Sequence, residues 1–391
     1  MKHARVLRLA ATIATAIGSI AACRAVAGIK DIQYQPPSQD DGGPQDDAEA
    51  GAPPDGPTPS DAGPEACTSS PLTLLNRPDT FVQLAVISNE VFVGTGTGIL
   101  GLGTSGGPAP PTTVAVQPAQ SPLSWGSFGL APALAYYSLT GNPTGGPDGG
   151  LAAGAIHSVH LDGTNDNVFT PGNYPYLVTV GGGYVFWTDD PAAAFATGAS
   201  SVYQCPLAMC TATPWISGLG RTYAMFTDST NVYVLANDPT SPSMAANLLS
   251  CPLPTSMSSP PCGPSAHTVL TGVDATSGMP YAFASDGAFV YGTYAAVQGI
   301  VRVPLGGGSP ATFVNNPETP SSLTVDADGH IYWTTTSGNV YRARTDGSGT
   351  PQLVACNQTA PNLIFTDTAS VYFVELGGDS IVQKIAKPAG P

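Results

Sequence analysis

The chain has 391 residues, of which only 10% are charged, and its formal charge is −15. Its 12 Lys and Arg residues are scattered, which excludes a nucleic-acid surface, since phosphate neutralisation needs clustered cations. Glycine (46) and proline (39) are abundant and separate many short Val-, Thr- and Tyr-rich runs, a pattern that selects an all-β fold.

The first element in chain order is a leader. "MKHARVLR" is a basic segment and "LAATIATAIGSIAA" an apolar one, too short for a comfortable membrane span. It ends in "IAAC", Ile20 to Cys23. That stretch resembles the bacterial lipobox, an aliphatic residue and two small ones before a Cys. The resemblance implies a lipoprotein signal peptide over 1–22 and lipidation of Cys23, which becomes the first mature residue and the anchor in the membrane. Arg24 rather than Asp follows Cys23, so by the same analogy the expected address is the outer membrane of a bacterial cell envelope. Residues 23–66 form the next segment. From Arg24 to Glu65 it has nine acidic residues and two basic ones and almost nothing apolar, so it cannot offset its ordering entropy and reads as a disordered, self-repelling tether.

Residues 67–391 carry a repeat. An aromatic-rich strand recurs as "VFV" (91–93), "AYYS" (135–138), "YVFWTD" (184–189), "VYVLA" (232–236), "VYGTY" (290–294), "IYWTT" (331–335) and "VYFVE" (371–375). One strand precedes each copy and two follow it, which is the signature of a propeller blade. The seventh copy ends after its third strand, "SIVQKIAKP" (380–388), while "CTSSPLTLL" (67–75) matches a fourth strand at the other end of the chain. The expected architecture is therefore a seven-bladed β-propeller closed by its N-terminal strand, which hides the edges an open array would expose.

"YVFWTD" and "IYWTTTSGNVYRARTDG" resemble the YWTD repeat of LDL-receptor-type propellers and its bacterial NHL-type relatives. The likeness spans about residues 71–388 and supports the fold; it says little about a ligand, since fold does not fix function.

Cys205 and Cys210 flank one turn between third and fourth strands, and Cys251 and Cys262 flank the equivalent turn one blade later. Two local disulfides are expected there. Parity would join Cys67 to Cys356, but the strand order places them at opposite faces, so that pair stays open. His157, His160, His267 and His330 show no ligand spacing. Asp228, Asp286, Asp326 and Asp367 recur at one repeat position, as turn residues would. No metal site and no cofactor motif stands out.

In a propeller, the second-to-third-strand loops and the connections between blades share one face. The longest such loops fall at 139–154, 189–200 and 237–246, and Trp125, Tyr174, Tyr176, Arg221, Tyr223 and Tyr281 gather at the starts of inner strands on that face. Tyr, Trp and Arg dominate binding hot spots. The expected function is a monomeric binding or scaffolding module for a protein or carbohydrate ligand. The alternative is a lactonase- or lyase-type propeller enzyme with a metal bound in its channel.

Overall fold

A computed structural model describes residues 70–88, 90–104, 110–117, 124–141, 154–190, 200–239, 245–256, 259–263, 266–273, 282–293, 299–315 and 318–388. Every regular element in that set is a strand. β1 (Leu72–Arg77) comes first in the chain and is the outer strand of the last blade. Blade 1 is β2 (Phe81–Ile87), β3 (Glu90–Thr95), β4 (Gly98–Gly103) and β5 (Thr112–Val116). Blade 2 is β6 (Ser124–Leu130), β7 (Leu134–Thr140), β8 (Gly154–His160) and β9 (Asn167–Gly172). Blade 3 is β10 (Pro175–Gly181), β11 (Tyr184–Asp189), β12 (Ser200–Pro206) and β13 (Thr213–Leu219). Blade 4 is β14 (Thr222–Thr227), β15 (Asn231–Asn237), β16 (Ala246–Pro252) and β17 (His267–Val273). Blade 5 is β18 (Ala282–Ser285), β19 (Phe289–Thr293), β20 (Ile300–Pro304) and β21 (Ala311–Val314). Blade 6 is β22 (Pro320–Val325), β23 (His330–Thr335), β24 (Val340–Arg344) and β25 (Gln352–Ala355). Blade 7 is β26 (Pro361–Thr366), β27 (Ser370–Glu375) and β28 (Ser380–Ala386), completed by β1.

The ring closes as the sequence predicts. β1 pairs antiparallel with β28, Leu72 opposite Lys384 and Arg77 opposite Ser380. All seven aromatic-rich runs are second strands, flanked on both sides by hydrogen-bonded neighbours. That position explains their composition, because a strand covered on both faces needs no polar alternation. β11 (YVFWTD) and β27 (SVYFVE) are buried at every residue.

The core is a ring of wedges between blades. Tyr332, Val354, Ile364, Phe373 and Ile385 fill the wedge between blades 6 and 7. Phe81, Val91, Val93, Tyr372 and Val382 fill the one between blades 7 and 1, so the last wedge is as apolar as the others. Each fully buried aromatic ring contributes about 2–3 kcal/mol.

Inner strands run from the face bearing the inter-blade connections, here the upper face, down to the lower one. A register shift marks the start of several of them: between Phe81 and Gln83, Trp125 and Phe128, Pro175 and Val178, and Thr222 and Ala224. Such bulges increase twist and turn side chains out of the ladder. They fall where the candidate aromatic residues lie.

Candidate functional site

Four of the six sequence candidates fall at equivalent positions on two adjacent upper-face connections. Pro175 opposes Asp189 and Thr222 opposes Ala236, so Tyr174 is the equivalent of Arg221, and Tyr176 of Tyr223, on adjacent connections. Two consecutive carboxylates at the end of β11 pin both connections. Asp189 accepts from the backbone N–H groups of Asn173 (3.1 Å) and Tyr174 (2.8 Å). Asp190 accepts from the backbone N–H of Thr222 at 3.1 Å and from its hydroxyl at 2.6 Å. The Asp of "YVFWTD" is thus a fastening for the chain that enters its own blade.

Tyr176 has a fixed backbone and an open side chain. Its carbonyl accepts from the Ser138 hydroxyl at 2.6 Å and the Ser127 hydroxyl at 3.2 Å, while its side chain is 45% exposed. A glycine makes this approach possible: a Cβ at Gly126 would lie 2.7 Å from the same carbonyl. One connection further on, the exposed Arg221 lies with its guanidinium carbon 5.4 Å from the ring centroid of Tyr223, within cation–π range, while the half-buried Tyr223 ring itself packs against the apolar wedge of blades 4 and 5. Beside Asn173 a cavity of about 280 Å³ opens between blades 2 and 3, lined by Pro171, Asn173, Trp187, Asp189 and Tyr203. Trp187 and Tyr203 stack there with centroids 5.7 Å apart.

Trp125 belongs elsewhere. It is partly buried in the wedge between blades 1 and 2 and stacks on Tyr137, centroids 4.6 Å apart and 16° between planes. Its ring is therefore a packing element. Tyr281 and Cys23 lie outside the described residues, as does most of the three long second-to-third-strand loops.

The lower face is built from four aspartates. Each caps its own turn between first and second strands with one oxygen. Asp228 accepts from Thr230 and Asn231, Asp286 from Ala288 and Phe289, Asp326 from Asp328 and His330, and Asp367 from Ala369 and Ser370, all through backbone N–H groups at 2.7–3.0 Å. The second oxygen takes a tyrosine hydroxyl in three blades: Tyr233 (2.6 Å), Tyr291 (2.8 Å) and Tyr372 (2.7 Å). In blade 6 it takes the Lys387 ammonium at 2.7 Å. Burial alone would raise these carboxyls, but the donors outweigh it, and Asp228, Asp326 and Asp367 are held below their ordinary range. Burial first, and then the aspartate bond, pushes Tyr233, Tyr291 and Tyr372 well above the usual tyrosine range. The recurring aspartates are turn and wedge residues.

Sequence reading missed what the cations do. Tyr291 opposes Arg302, Tyr332 opposes Arg342 and Tyr372 opposes Lys384, so one repeat position in the third strand is basic in three consecutive blades. Each reaches a carbonyl just past the third strand of the following blade: Arg302 to Thr345 (3.5 Å), Arg342 to Pro388 (2.9 Å) and Lys384 to Thr104 (2.7 Å). The signal was available as a basic residue recurring in register with the aromatic strand.

Cys205 bonds Cys210 and Cys251 bonds Cys262, with Cα atoms 5.1 and 5.9 Å apart, so both expected staples are present. Cys356, left open by the sequence, is also disulfide-bonded, and its partner lies outside the described residues.

No family model and no curated protein matches the chain. Among solved structures, virginiamycin B lyase from Staphylococcus aureus superposes with a TM-score of 0.51 at 13% identity, over 81% of this chain and 98% of that one. YCF48 bound to a D1 peptide gives 0.53 at 12% identity, over 82% and 95%. A nidogen/laminin complex gives 0.42 at 12% identity, over 66% and 89%. At these identities the property shared with the first two is the fold. The first two are a lyase and a peptide binder, so the β-propeller by itself selects neither chemistry.

Proposed function

We propose that this chain is a lipid-anchored binding module of a bacterial cell envelope, tethered through Cys23, with its recognition surface on the upper face over blades 3 and 4. The observation that carries the reading is Tyr176, a half-exposed ring on a backbone clamped by Ser127 and Ser138. Such a ring loses little conformational freedom when a partner docks, which is how preorganised aromatic anchors gain affinity. Arg221 over Tyr223 extends the same surface by one blade. A protein or carbohydrate partner suits this mixture of aromatic faces and a single cation. The enzymatic alternative draws less support, because the repeating aspartates are occupied by turns and tyrosines.

The test is capture of partners from envelope extracts and glycan arrays, comparing the wild-type chain with a Tyr176→Ala, Arg221→Ala variant, which leaves the wedge-packed Tyr223 in place. Loss of the captured partner with an unchanged melting temperature is the expected result, and equal capture by the variant overturns the surface assignment. Anchoring is tested separately: Cys23→Ser should move the protein out of the membrane fraction, and the wild-type N-terminal peptide should carry acyl mass on Cys23.

A further inference from the structure

The lower rim of blade 6 has a different chemistry from the upper face. β23 and β24 pair with His330 opposite Arg344 and Tyr332 opposite Arg342. Alternate residues of a strand share a face, so His330, Arg342 and Arg344 project from one side of this hairpin. The spacing of "YRAR" (341–344) puts the two arginines on one face, and the pairing with β23 adds His330 to them.

These three side chains line a cavity of about 370 Å³ with Ser348, Thr350 and Gln352 from the following turn and outer strand. Among the described residues, no carboxylate lines it. Arg342 is 3% exposed and is held by Gln352, whose amide oxygen accepts from Nε at 2.8 Å, and by the Pro388 carbonyl. His330 has a buried Nε2 with no hydrogen-bond partner among the described residues, and its Nδ1 lies 3.8 Å from Asp326. Arg344 is 43% exposed at the mouth, where its Nε meets the exposed Asp346 at 3.2 Å. An ion pair that open to solvent is worth little and yields readily to a competing anion.

The surrounding charges are few. Asp326 is neutralised by Lys387, Asp328 and Asp346 lie at the rim, and Arg302 approaches the neighbouring turn through the Thr345 carbonyl. The propeller has seven Lys and Arg residues in all, and four of them surround this one corner of an otherwise acidic protein.

We infer that this cavity binds a small acidic saccharide unit, its oxyanion set against Arg344 with Arg342 and His330 behind, and its hydroxyls against Ser348, Thr350 and Gln352. Guanidinium groups suit carboxylate and phosphate oxygens, whereas hydroxyl and amide groups suit a polyol. The volume falls at the lower end of small-molecule pockets, about 300–1,000 Å³, which fits one sugar ring with its anionic substituent. The site is separate from the upper face and does not rest on it.

Calorimetric titration of the full chain with glucuronate, glucose 1-phosphate and glucose tests it. Saturable binding of an acidic sugar, absent for glucose, is expected. The two acidic probes distinguish a uronic-acid source from a phosphorylated one. Because Arg342 also fastens blades 6 and 7, its loss would confound folding, so the informative variants are Arg344→Gln and Thr350→Ala at the mouth. Arg344→Gln should weaken binding about tenfold, the scale of one charge-assisted hydrogen bond, while the Tyr176→Ala, Arg221→Ala variant leaves it unchanged. Failure of both acidic sugars to bind, glucose binding as tightly as they do, or undiminished binding in Arg344→Gln, overturns the assignment.

Discussion

The Lys384 ammonium donates to the Thr104 carbonyl oxygen at 2.7 Å, across 280 positions of sequence. Lys384 lies on β28, the last strand of the chain, and Thr104 follows β4 in blade 1. The seam of the ring runs inside blade 7, between β28 and β1. This bond bypasses the seam by fastening the C-terminal strand directly to the blade beyond β1. The ammonium also sits 5.7 Å from the Tyr372 ring centroid, which screens it partly from water.

Replacing Lys384 by Met keeps the apolar stem and removes the bond. Hydrogen bonds to charged groups contribute about 1.5–3 kcal/mol, so the urea midpoint should fall by the equivalent amount. Arg221→Met on the upper face serves as a comparison, since exposed substitutions usually change stability by less than about 0.5 kcal/mol. A Lys384→Met midpoint indistinguishable from that of Arg221→Met would remove the clasp from the account of closure.

Acid should unfold the protein through its lower-face carboxylates. Asp228, Asp326 and Asp367 have folded pKa values depressed below the ordinary 3.8, burial opposing and hydrogen-bond donors prevailing. Glu318, with burial again opposing, is held below its ordinary 4.5 by bonds from Ser337, Thr335, Asn339 and Tyr341 and adds to them. A depressed carboxyl pKa gives stability that is complete above the unfolded value, about 4, and lost as pH falls through the folded one. Melting temperature should therefore be flat near neutrality and fall steeply below about pH 4. Asp326→Asn should lower stability by about 3–5 kcal/mol because it strands the Lys387 charge, and Asp326→Asn with Lys387→Met should recover part of that loss.

How much of this was readable beforehand follows from where each signal resides. The blades were legible because second strands are covered on both faces, which forces continuous runs such as "VYFVE" to repeat at blade spacing. The missing fourth strand was legible by counting. Trp125 was not placeable, because an aromatic residue at the start of an inner strand can face the open surface or the wedge, and the bulge between Trp125 and Phe128 decides which. The cavity at blade 6 was hidden for another reason. "YRAR" reads as two scattered cations until the pairing with His330 puts all three on one face.

Alkaline titration probes the same wedges from the other side. Burial, and then the neighbouring carboxylates, pushes Tyr137, Tyr233, Tyr291 and Tyr372 far above 10, and Tyr332 to about 12. A raised tyrosine pKa gives stability that is full below the unfolded value, about 10, and disappears as pH rises through the folded one. Of the 15 tyrosines, these five should form phenolate only as the fold opens. At about pH 11 the native protein should show less phenolate absorbance than the same protein in denaturant. Equal absorbance in the two would mean that the wedges admit hydroxide and that the aspartate–tyrosine bonds are not kept in solution.

The last prediction concerns Cys356. Four of the seven cysteines are accounted for by the pairs 205–210 and 251–262, so the partner of Cys356 is Cys23 or Cys67. If Cys23 carries the lipid, its sulfur is unavailable and Cys67 is the partner. Because the start of β1 and the end of β25 lie at opposite faces, that bond requires the five residues from Cys67 to Leu72, about 17 Å when extended, to span the height of the outer strand. Non-reducing peptide mapping of protein from the membrane fraction should then recover a cross-linked pair containing Cys67 and Cys356, with acyl mass on the Cys23 peptide. A bond closing a loop this long restricts the unfolded chain by about 5–6 kcal/mol in the chain-entropy account, so Cys356→Ser should lower the melting temperature more than Cys210→Ser, whose loop is five residues. Recovery of a Cys23–Cys356 peptide pair would refute both the pairing and the lipid anchor in one measurement.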